Sequence, residues 1–241
     1  MRDNSIFKFK KFAVKHEKSK MKVGFDGILL GAWANTNRAG LMLDIGTGTG
    51  ILALMQAQKN EKLNIIAIEP DLDSYLEAKE NILNSDWHNR IKIKHTTLQS
   101  FARKTNLKFD YIICNPPFFD SKLKYISKDK AIARHTVSLS HKELIGMSAN
   151  LMKNKAALFL ILPYDLKMEI IEMAKNFSLF LTKSCEVYTN ANKRPKRLLL
   201  RFEKGKSIKE SEENVLYIYD KSRQYSEKYL KIVKDFYIWL K

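Results

Sequence analysis

The chain has 241 residues, 45% of them hydrophobic, with 43 Lys and Arg against 26 Asp and Glu and a formal net charge of +17. This length and apolar fraction predict one α/β domain of some size with a small appendage, and they exclude a disordered chain. Without a run of ~18 apolar residues, and with only two cysteines, the composition also excludes a membrane protein and a disulfide scaffold.

Location and partners are suggested by the opening residues and by the charge. Residues 1–4 lack the apolar stretch of a secretory signal, so we expect a cytoplasmic protein. Cys114 and Cys185 each lie in an apolar stretch and no Cys/His cluster has zinc spacing, so we expect no metal. The positive charge favours a nucleic-acid partner through counterion release; a lysine-rich composition that only maintains solubility is the alternative.

The N-terminal third mixes basic and aromatic residues. Residues 7–14 alternate phenylalanine with lysine and predict a short strand with one charged face. Gly24 and Gly27 flank Asp26 and predict a turn, followed by an apolar helical run at 28–33. Phenylalanines interleaved with lysines suit contact with a nucleic-acid backbone together with stacking on bases. The lysines of this region that we take as candidates for such contact are Lys8, Lys10, Lys11 and Lys22.

From residue 41 onward, predicted strands and helices alternate. The strands are at 41–44, 65–69, 91–95, 109–114 and 156–162, and the helices at 51–58, 71–84, 98–103 and 140–152. Helical spacing in 71–84 predicts one apolar face. Its members are Leu72, Tyr75, Leu76, Ile82 and Leu83. This alternation predicts parallel β-α-β units in a doubly wound sheet.

The C-terminal part predicts a helix near 164–176 and strands at 181–188 and 197–202. The loop between these strands is too short for a helical crossover, so we expect an antiparallel pair. Residues 204–214 are polar and read as a linker, and a strand at 215–219 and an amphipathic helix follow. We therefore divide the chain into a basic N-terminal segment (1–34), a core (35–203) and a docked extension (204–241).

Between the first strand of the core and its helix lies a loop of three alternating glycines, Gly46, Gly48 and Gly50, preceded by Asp44. Glycine lets the backbone turn tightly and approach a ligand closely, and the helix N-terminus offers free N–H groups. A dinucleotide fold has the spacing G-x-G-x-x-G instead. The spacing G-x-G-x-G after an acid resembles motif I of S-adenosylmethionine-dependent methyltransferases; a plain strand-helix turn or another nucleotide site is the alternative.

That resemblance implies roles for three acceptors. Asp44 is expected to interact with the methionine ammonium of the cofactor, directly or through water. Glu69, ~20 residues past the glycines, is expected to accept the ribose hydroxyls. Many relatives carry an aspartate after the third strand that contacts the cofactor adenine, where this chain has Thr97. A hydroxyl is a weaker acceptor than a carboxylate, and Gln99 is the alternative contact.

The tetrad Asn115-Pro116-Pro117-Phe118 follows the strand at 109–114. Two prolines fix φ and lack N–H groups, so the chain leaves the sheet in a stiff turn. An amide oxygen, a free carbonyl and an aromatic ring suit an exocyclic amine on a planar ring. The tetrad resembles the [D/N/S]-P-P-[Y/F] motif of methyltransferases that act on adenine N6, cytosine N4, guanine N2 or glutamine N5. A proline-stiffened strand exit without chemistry is the alternative.

Together with these motifs, four further stretches of the sequence resemble the bacterial tRNA1(Val) (adenine(37)-N6)-methyltransferase family. They are residues 9–12 with His16, residues 21–34, Arg134-His135 and residues 194–197. The resemblance covers nearly all of residues 7–203. It implies a Rossmann-like class I methyltransferase fold, with a mostly parallel seven-stranded sheet, an antiparallel C-terminal hairpin and helices on both faces. It also implies S-adenosylmethionine as cofactor, a lid element around Asp26, and methylation of adenine 37 in tRNA.

In the implied mechanism, the Asn115 amide oxygen and the Pro116 carbonyl accept the two N6 hydrogens while Phe118 stacks on the extruded base. Neither a metal nor a dedicated base is required. We expect a monomer that binds the anticodon stem-loop of tRNA through three basic clusters, at 8–22, 122–134 and 193–197. In the second and third clusters, the residues that we expect to bind RNA are Arg134, Lys193, Arg194, Lys196 and Arg197.

Several other functions stay open on the sequence. A glutamine-N5 methyltransferase of release factors uses the same tetrad, but such enzymes usually carry a helical N-terminal domain, and only 40 residues precede the first core strand here. A ribosomal RNA guanine-N2 enzyme is a second alternative. A DNA adenine enzyme would need a recognition domain larger than residues 204–241. An RNA-binding protein on a decayed methyltransferase fold is the non-catalytic alternative.

Overall fold

The computed structural model describes residues 5–116, 139–205 and 211–240. The strands in these ranges are β1 (Ile6–Lys8), β2 (Ala13–Lys15), β3 (Gly40–Ile45), β4 (Leu63–Glu69), β5 (Ile91–His95), β6 (Phe109–Cys114), β7 (Met152–Pro163), β8 (Leu179–Tyr188), β9 (Arg197–Lys204) and β10 (Glu212–Tyr217). The helices are α1 (Phe25–Trp33), α2 (Ile51–Lys59), α3 (Leu72–Leu83), α4 (Leu98–Lys104), α5 (His141–Leu151), α6 (Lys167–Lys175) and α7 (Glu227–Val233).

The main sheet has the strand order β10-β8-β9-β7-β6-β3-β4-β5. Strand β9 is antiparallel to both neighbours and the other pairs are parallel, which confirms the doubly wound α/β fold and the antiparallel hairpin. The sheet has eight described strands rather than seven, because β10 pairs in parallel with β8. Leu216 and Ile218 are buried there, so the apolar side of the C-terminal segment extends the sheet.

Side chains of the central strands alternate between two apolar layers. On β3, Met42 belongs to the layer under α1 and α2, whereas Leu43 belongs to the layer under α4, α5 and α6. Both are fully buried. A register slip of one residue would exchange the layers along a whole strand, so burial on both faces fixes the register. This register in turn fixes the carboxyl ends of the strands, where the predicted site residues lie.

The N-terminal segment is a hairpin rather than the predicted single strand. Strands β1 and β2 pair antiparallel, and the Phe9 N–H donates to the Phe12 carbonyl at 2.8 Å to close the turn. Phe9 and Phe12 stack on each other with ring centroids 4.5 Å apart, and both are buried. The prediction that these rings stack on bases is therefore wrong, since they pack in the protein core.

The C-terminal segment packs against that hairpin. Helix α7 ends at Val233, although the predicted amphipathic helix extends to Leu240. Turns carry the chain from Val233 to a buried Phe236. The Lys10 N–H donates to the Phe236 carbonyl at 2.8 Å, and Phe9 forms a bridge with Tyr237. Residues near the two ends of the described chain thus cover the same apolar cluster.

The apolar face predicted for α3 is wrong for three of its five residues, whereas Ile82 is buried as predicted. Leu72, Leu76 and Leu83 are 53%, 49% and 60% exposed. Besides Ile82, the buried face carries polar side chains and small residues, namely Ser74, Glu77, Ala78 and Asn81. The polar members meet residues 15–20, where backbone groups require hydrogen-bond partners.

Candidate functional site

A cavity of about 1040 Å³ opens where the carboxyl ends of β3, β4 and β6 meet, as ligand sites do in open α/β sheets. Its walls bring together predicted site residues from separate parts of the sequence. They are Lys22, Asp26, Gly46, Gly48, Glu69, Thr97, Asn115, Pro116, Lys196 and Arg197. Asp44 and Gly50 adjoin these walls in sequence, whereas Pro117, Phe118 and Arg134 lie outside the described residues.

The glycine loop adopts a backbone that disfavours other residues. Gly46, Gly48 and Gly50 have φ values of +66°, +56° and +84°, in the left-handed region. A Cβ at Gly46 would meet nothing within 4 Å, so the loop is open on that side. The Gly46 and Thr47 N–H groups donate to the Ile68 carbonyl at 2.9 and 3.1 Å, which fixes the loop against the end of β4.

Asp44 is a buried acceptor at the end of β3. Its Oδ2 accepts from the Thr47 hydroxyl at 2.5 Å, and its buried Oδ1 has no hydrogen-bond partner among the described residues. Burial raises the pKa of Asp44 to about 7, although the Thr47 hydroxyl and the Ala53 backbone N–H oppose the rise. A nearby cation would stabilise the ionised form of this buried carboxylate, because an opposite charge offsets the loss of solvation.

Glu69 is held rigidly at the end of β4. Its Oε2 accepts from the Gly48 N–H at 2.9 Å and its Oε1 from the Asp71 N–H at 3.0 Å. Burial raises the pKa of Glu69, and the two amide donors oppose the rise. Each oxygen keeps further acceptor capacity, so the carboxylate suits two adjacent hydroxyl groups.

Thr97 has a structural role as well as a place on the cavity wall. Its hydroxyl oxygen accepts from the Ser100 N–H at 3.1 Å and caps the N-terminus of α4. Gln99 lines the cavity too. Thr97 and Gln99, the two residues predicted as contacts for the cofactor adenine, thus both lie on the cavity wall.

Asn115 and Pro116 follow β6 directly and line the cavity. The Asn115 Nδ2 makes a weak contact with the Met21 sulfur at 3.8 Å, and its Oδ1 is buried without a hydrogen-bond partner among the described residues. A Cβ at Gly27 would lie 4.0 Å from the Asn115 Nδ2, so the start of α1 closely approaches this side chain. An unengaged amide oxygen at this position can accept from a substrate amine.

Cys114, just before the tetrad, is not a nucleophile. Burial raises the pKa of its thiol well above the ordinary value, and the carboxylates of Asp44 and Glu69 add to the rise. The thiol therefore stays protonated, whereas nucleophilic cysteines react as thiolates.

Asp26 and Arg197 were predicted to bind different ligands, the cofactor and RNA, but they pair with each other. The Arg197 Nε donates to both carboxylate oxygens of Asp26, at 3.0 and 2.9 Å. Both residues line the cavity. The pair joins the first turn of α1 to the start of β9.

The other predicted RNA contacts occupy two regions. Lys8, Lys10 and Lys11 are exposed on the N-terminal hairpin and do not line the cavity. Lys193 and Arg194 are exposed in the loop between β8 and β9, which borders a second cavity of about 440 Å³. Lys196 and Arg197 border both cavities, so the basic loop adjoins the cavity that holds Asn115.

Sequence reasoning missed how α3 holds the segment between β2 and α1, residues 16–24, which we call the connecting segment. The Glu77 carboxylate accepts three successive backbone N–H groups: Oε1 from Glu17 at 2.7 Å and Lys18 at 2.9 Å, and Oε2 from Ser19 at 2.9 Å. The next residues, 20–22, line the cavity. Glu77 thus places one wall of the site.

Asn81 extends the same attachment to the glycine loop. Its Nδ2 donates to the carbonyls of Lys15 and Thr49, both at 2.9 Å, and its Oδ1 accepts from the Lys15 N–H at 2.8 Å. Nothing in the local sequence marks Asn81 as buried or identifies its partners.

Further wall residues were missed because they come from distant or apolar parts of the chain. They are Met21, Phe25, Leu139, Val187, Ile218 and Tyr219. Tyr219 reaches the cavity because β10 joins the sheet. Within the described ranges, no group of three or more His, Cys, Asp or Glu could hold a metal ion, and no helix is long and apolar enough to cross a membrane.

The chain matches a family model described as "Methyltransferase small domain" over residues 19–185. It is 42% identical over 233 residues to the tRNA1(Val) (adenine(37)-N6)-methyltransferase of Histophilus somni strain 129Pt, with 96% of this chain and 97% of that protein covered. The protein of the same name from Pseudoalteromonas translucida is 43% identical over 235 residues, with 97% and 99% covered.

A solved structure shares the fold. The crystal structure of a predicted O-methyltransferase from Agrobacterium tumefaciens has a TM-score of 0.70 and 17% sequence identity, with 88% of this chain and 96% of that chain covered. At this identity the likeness concerns the fold alone, and it agrees with the methyltransferase-type sheet described above.

Proposed function

This chain belongs to the tRNA1(Val) (adenine(37)-N6)-methyltransferase family, and we propose that it transfers a methyl group from S-adenosylmethionine to N6 of adenine 37 in tRNA. The observation in the site that supports this best is Asn115. Its buried amide oxygen has no partner among the described residues, and it lines the same cavity as the glycine loop and Glu69.

The residues present fit this cofactor. The unpartnered Oδ1 of Asp44 suits a cationic amino group, the fixed Glu69 carboxylate suits ribose hydroxyls, and the open side of Gly46 permits close approach. Thr97 and Gln99 are the candidates for the cofactor adenine. When bound, S-adenosylmethionine supplies an electrophilic methyl group on its sulfonium.

The chain's own residues orient the amine. We assign the two N6 hydrogens to the Asn115 amide oxygen and the Pro116 carbonyl. With both hydrogens directed to acceptors, the nitrogen lone pair is free for attack, and the positive charge that develops on nitrogen is stabilised. Placing the amine accounts for much of the acceleration. The proton then leaves to water, so no side chain is assigned as a base.

The rest of the tetrad completes the proposal. Pro117 would stiffen the turn and Phe118 would stack on the extruded base. Both lie outside the described residues, and the match of all four positions to the family motif supports these roles.

RNA contact is proposed for the basic residues around the cavity. Lys22, Lys196 and Arg197 line it, and Lys193 and Arg194 extend the basic surface into the adjoining loop. A net charge of +17 suits a polyanion. Lys8, Lys10, Lys11 and Arg134 are retained as proposed contacts for a longer stretch of RNA.

The finer features of the prediction also stay proposals. We propose a cytoplasmic monomer. We propose in addition that it binds the anticodon stem-loop, because adenine 37 lies beside the anticodon. We also propose that residues 1–34 act as lid and substrate segment, 35–203 as the methyltransferase core and 204–241 as a docked extension. Packing of Phe236 against the N-terminal hairpin supports a shared role for the two end segments.

A methyl-transfer assay tests the function. Purified protein and labelled S-adenosylmethionine are incubated with unmodified total tRNA, and in parallel with ribosomal RNA and a release factor. We expect label in tRNA as N6-methyladenosine. Label in the release factor would indicate glutamine methylation instead, and label in ribosomal RNA as N2-methylguanosine would indicate the guanine enzyme.

The Asn115→Ala variant tests the assigned role. It should lose at least about a hundredfold in rate, by analogy with the removal of one transition-state hydrogen bond, while cofactor affinity stays within about twofold. Asn150→Ala, at an exposed position on α5, is the matched control and should retain full activity.

If the unchanged protein binds RNA but neither binds S-adenosylmethionine nor methylates RNA, the non-catalytic alternative would be supported.

A further inference from the structure

An array of aromatic side chains extends from the cofactor cavity onto the protein surface. Tyr219, on the cavity wall, stacks on Tyr225 with ring centroids 5.1 Å apart and 22° between the ring planes, and Tyr225 stacks on Trp239 at 5.4 Å and 23°. Phe25, also on the cavity wall, stacks on Tyr229 at 6.0 Å, and Tyr229 lies 5.2 Å from Tyr225. We call these five rings the aromatic platform.

Three rings of the platform are open to solvent. Phe25 and Tyr225 are each 39% exposed and Trp239 is 53% exposed, whereas Tyr229 is buried beneath them. Leaving so much ring area in water forgoes stabilisation at roughly 25 cal/mol per Å². Contiguous exposed apolar surface of this kind marks an interaction site.

The edge of the platform carries more cations than anions. Between two of its tyrosines lies a turn, residues 220–224, in which the Asp220 Oδ1 accepts the N–H groups of Ser222 at 2.8 Å and Gln224 at 3.0 Å. The Asp220 carboxylate therefore stabilises the turn. The exposed charged side chains on and near the turn are the cations Lys221, Arg223 and Lys228 and the anions Asp220 and Glu227.

The platform also adjoins the basic loop between β8 and β9. The Tyr219 N–H donates to the Thr189 carbonyl at 3.0 Å, and both residues share the cavity wall with Lys196. Aromatic rings flanked by cations match the chemistry of single-stranded nucleic acid, where bases stack and phosphates pair with cations. A protein partner would find the same rings, but the charge at the edge favours a polyanion.

We propose that the aromatic platform binds unpaired nucleotides next to the target adenosine, with their bases stacked on Phe25, Tyr225 and Trp239. The inference rests on the proposed function, because its ligand is the RNA strand whose base enters the cavity. When a loop nucleotide is extruded, its neighbours lose stacking partners of their own. Rings beside the cavity mouth replace those partners, and they accept any base.

The test uses the full chain with Tyr225 and Trp239 both changed to leucine, which keeps apolar bulk and removes the stacking rings. Binding is measured to an anticodon stem-loop RNA and to the same stem closed as a blunt duplex. We expect the double variant to bind the stem-loop roughly 10- to 100-fold more weakly. Its affinity for the duplex and for S-adenosylmethionine should stay within about twofold of the unchanged protein.

Matched variants separate stacking from folding. Changing Tyr225 and Trp239 to phenylalanine keeps aromatic rings and should restore most of the affinity for the stem-loop. Tyr217→Leu removes another tyrosine that is also 39% exposed but contacts Tyr188, and it should have no effect. Equal loss in the leucine and phenylalanine pairs, or unchanged stem-loop affinity in the leucine pair, would overturn the proposal.

The proposal and the function on which it rests fail in different ways. If the unchanged protein methylates tRNA and the leucine pair raises neither KM nor the dissociation constant for RNA, the platform has no part in RNA binding and the function stands. In that case a protein is the remaining candidate occupant. If no RNA is methylated but the leucine pair loses stem-loop affinity, the platform is supported and the methylation proposal fails.

Discussion

Asp26 and Arg197 form an ion pair that ties the N-terminal part of the chain to the sheet. The Arg197 Nε lies 3.0 and 2.9 Å from the two carboxylate oxygens, although the residues are 171 positions apart. The side chains are 16% and 31% exposed, so solvent screens the pair only partly. Its position on the cavity wall makes it a determinant of the cavity's shape.

Breaking this pair should weaken cofactor binding more than folding. We expect Asp26→Asn to raise the dissociation constant of S-adenosylmethionine about three- to tenfold, because the start of α1 loses its attachment to β9. The free energy of unfolding should fall by no more than about 1 kcal/mol. Calorimetric titration and urea unfolding measure the two quantities.

A double-mutant cycle with Arg197→Gln checks that the two side chains act together. If they do, the second substitution adds little to the first. Fully additive effects would show that Asp26 contacts the ligand independently of Arg197.

Glu77 should be needed to hold the connecting segment. Glu77→Gln replaces one acceptor oxygen with a donor that faces a backbone N–H, so we expect a loss of about 2 kcal/mol in the free energy of unfolding. Cofactor affinity should fall as well, because residues 20–22 line the cavity.

Glu80→Gln is the control for Glu77. Glu80 is on the same helix and pairs with Lys15 at an exposed site, so its loss should cost less than about 0.5 kcal/mol. Equal effects of the two substitutions would contradict the assigned role of Glu77.

Asp44 should make the stability of the cofactor-free protein depend on pH. Its folded-state pKa of about 7 lies above the ordinary value of ~3.9, so the folded protein binds more protons between these values. The contribution of Asp44 to stability is therefore most favourable below about pH 4 and falls as the pH rises to about 7. Asp44→Asn should remove this fall and be more stable than the unchanged protein at pH 8, by a few kcal/mol at most.

S-adenosylmethionine should reverse that trend, because its amino group, with an ordinary pKa of about 7.7–8.0, is still a cation at pH 7. Its stabilising effect on the unchanged protein should grow from pH 5 to pH 7, and it should not grow in Asp44→Asn. Thermal unfolding with and without the cofactor across this range provides the measurement. Parallel pH profiles for the two proteins would contradict a role for Asp44 at the ligand.

The basic loop should contribute through long-range charge. Lys193→Gln combined with Arg194→Gln should weaken tRNA binding and reduce the slope of log affinity against log salt by about 0.7–0.9 for each phosphate that the loop no longer neutralises. Lys92→Gln, exposed on β5 at the opposite edge of the sheet, should leave the slope unchanged. A slope unaffected by the double change would exclude this loop from the interface.

The elements that could be predicted depend on local chemistry. The left-handed backbone at Gly46, Gly48 and Gly50 follows from the residues themselves, and Ser140 with Glu143 forms a capping box where the sequence predicts the start of α5. The alternation of apolar strands and helices likewise predicts the parallel β-α-β units of the core. Such signals lie within a few residues of the feature that they specify.

The errors concern contacts between distant segments. Phe9 and Phe12 alternate with lysines as if exposed, but Phe236, more than 200 residues later, helps to cover them. Glu77 looks like a solvent-facing helix residue until the connecting segment supplies three N–H groups. Likewise, Leu216 and Ile218 predict a strand but not the partner strand β8. No local pattern encodes these partners.

The bridge between Phe9 and Tyr237 also orders events during synthesis. A ribosome delivers the N-terminal hairpin first, but the carbonyl that accepts the Lys10 N–H belongs to Phe236, which is synthesised more than 200 residues later. Until then the apolar side of the hairpin lacks part of its covering surface. Packing of the hairpin into the core therefore requires residues that are synthesised more than 200 positions after it.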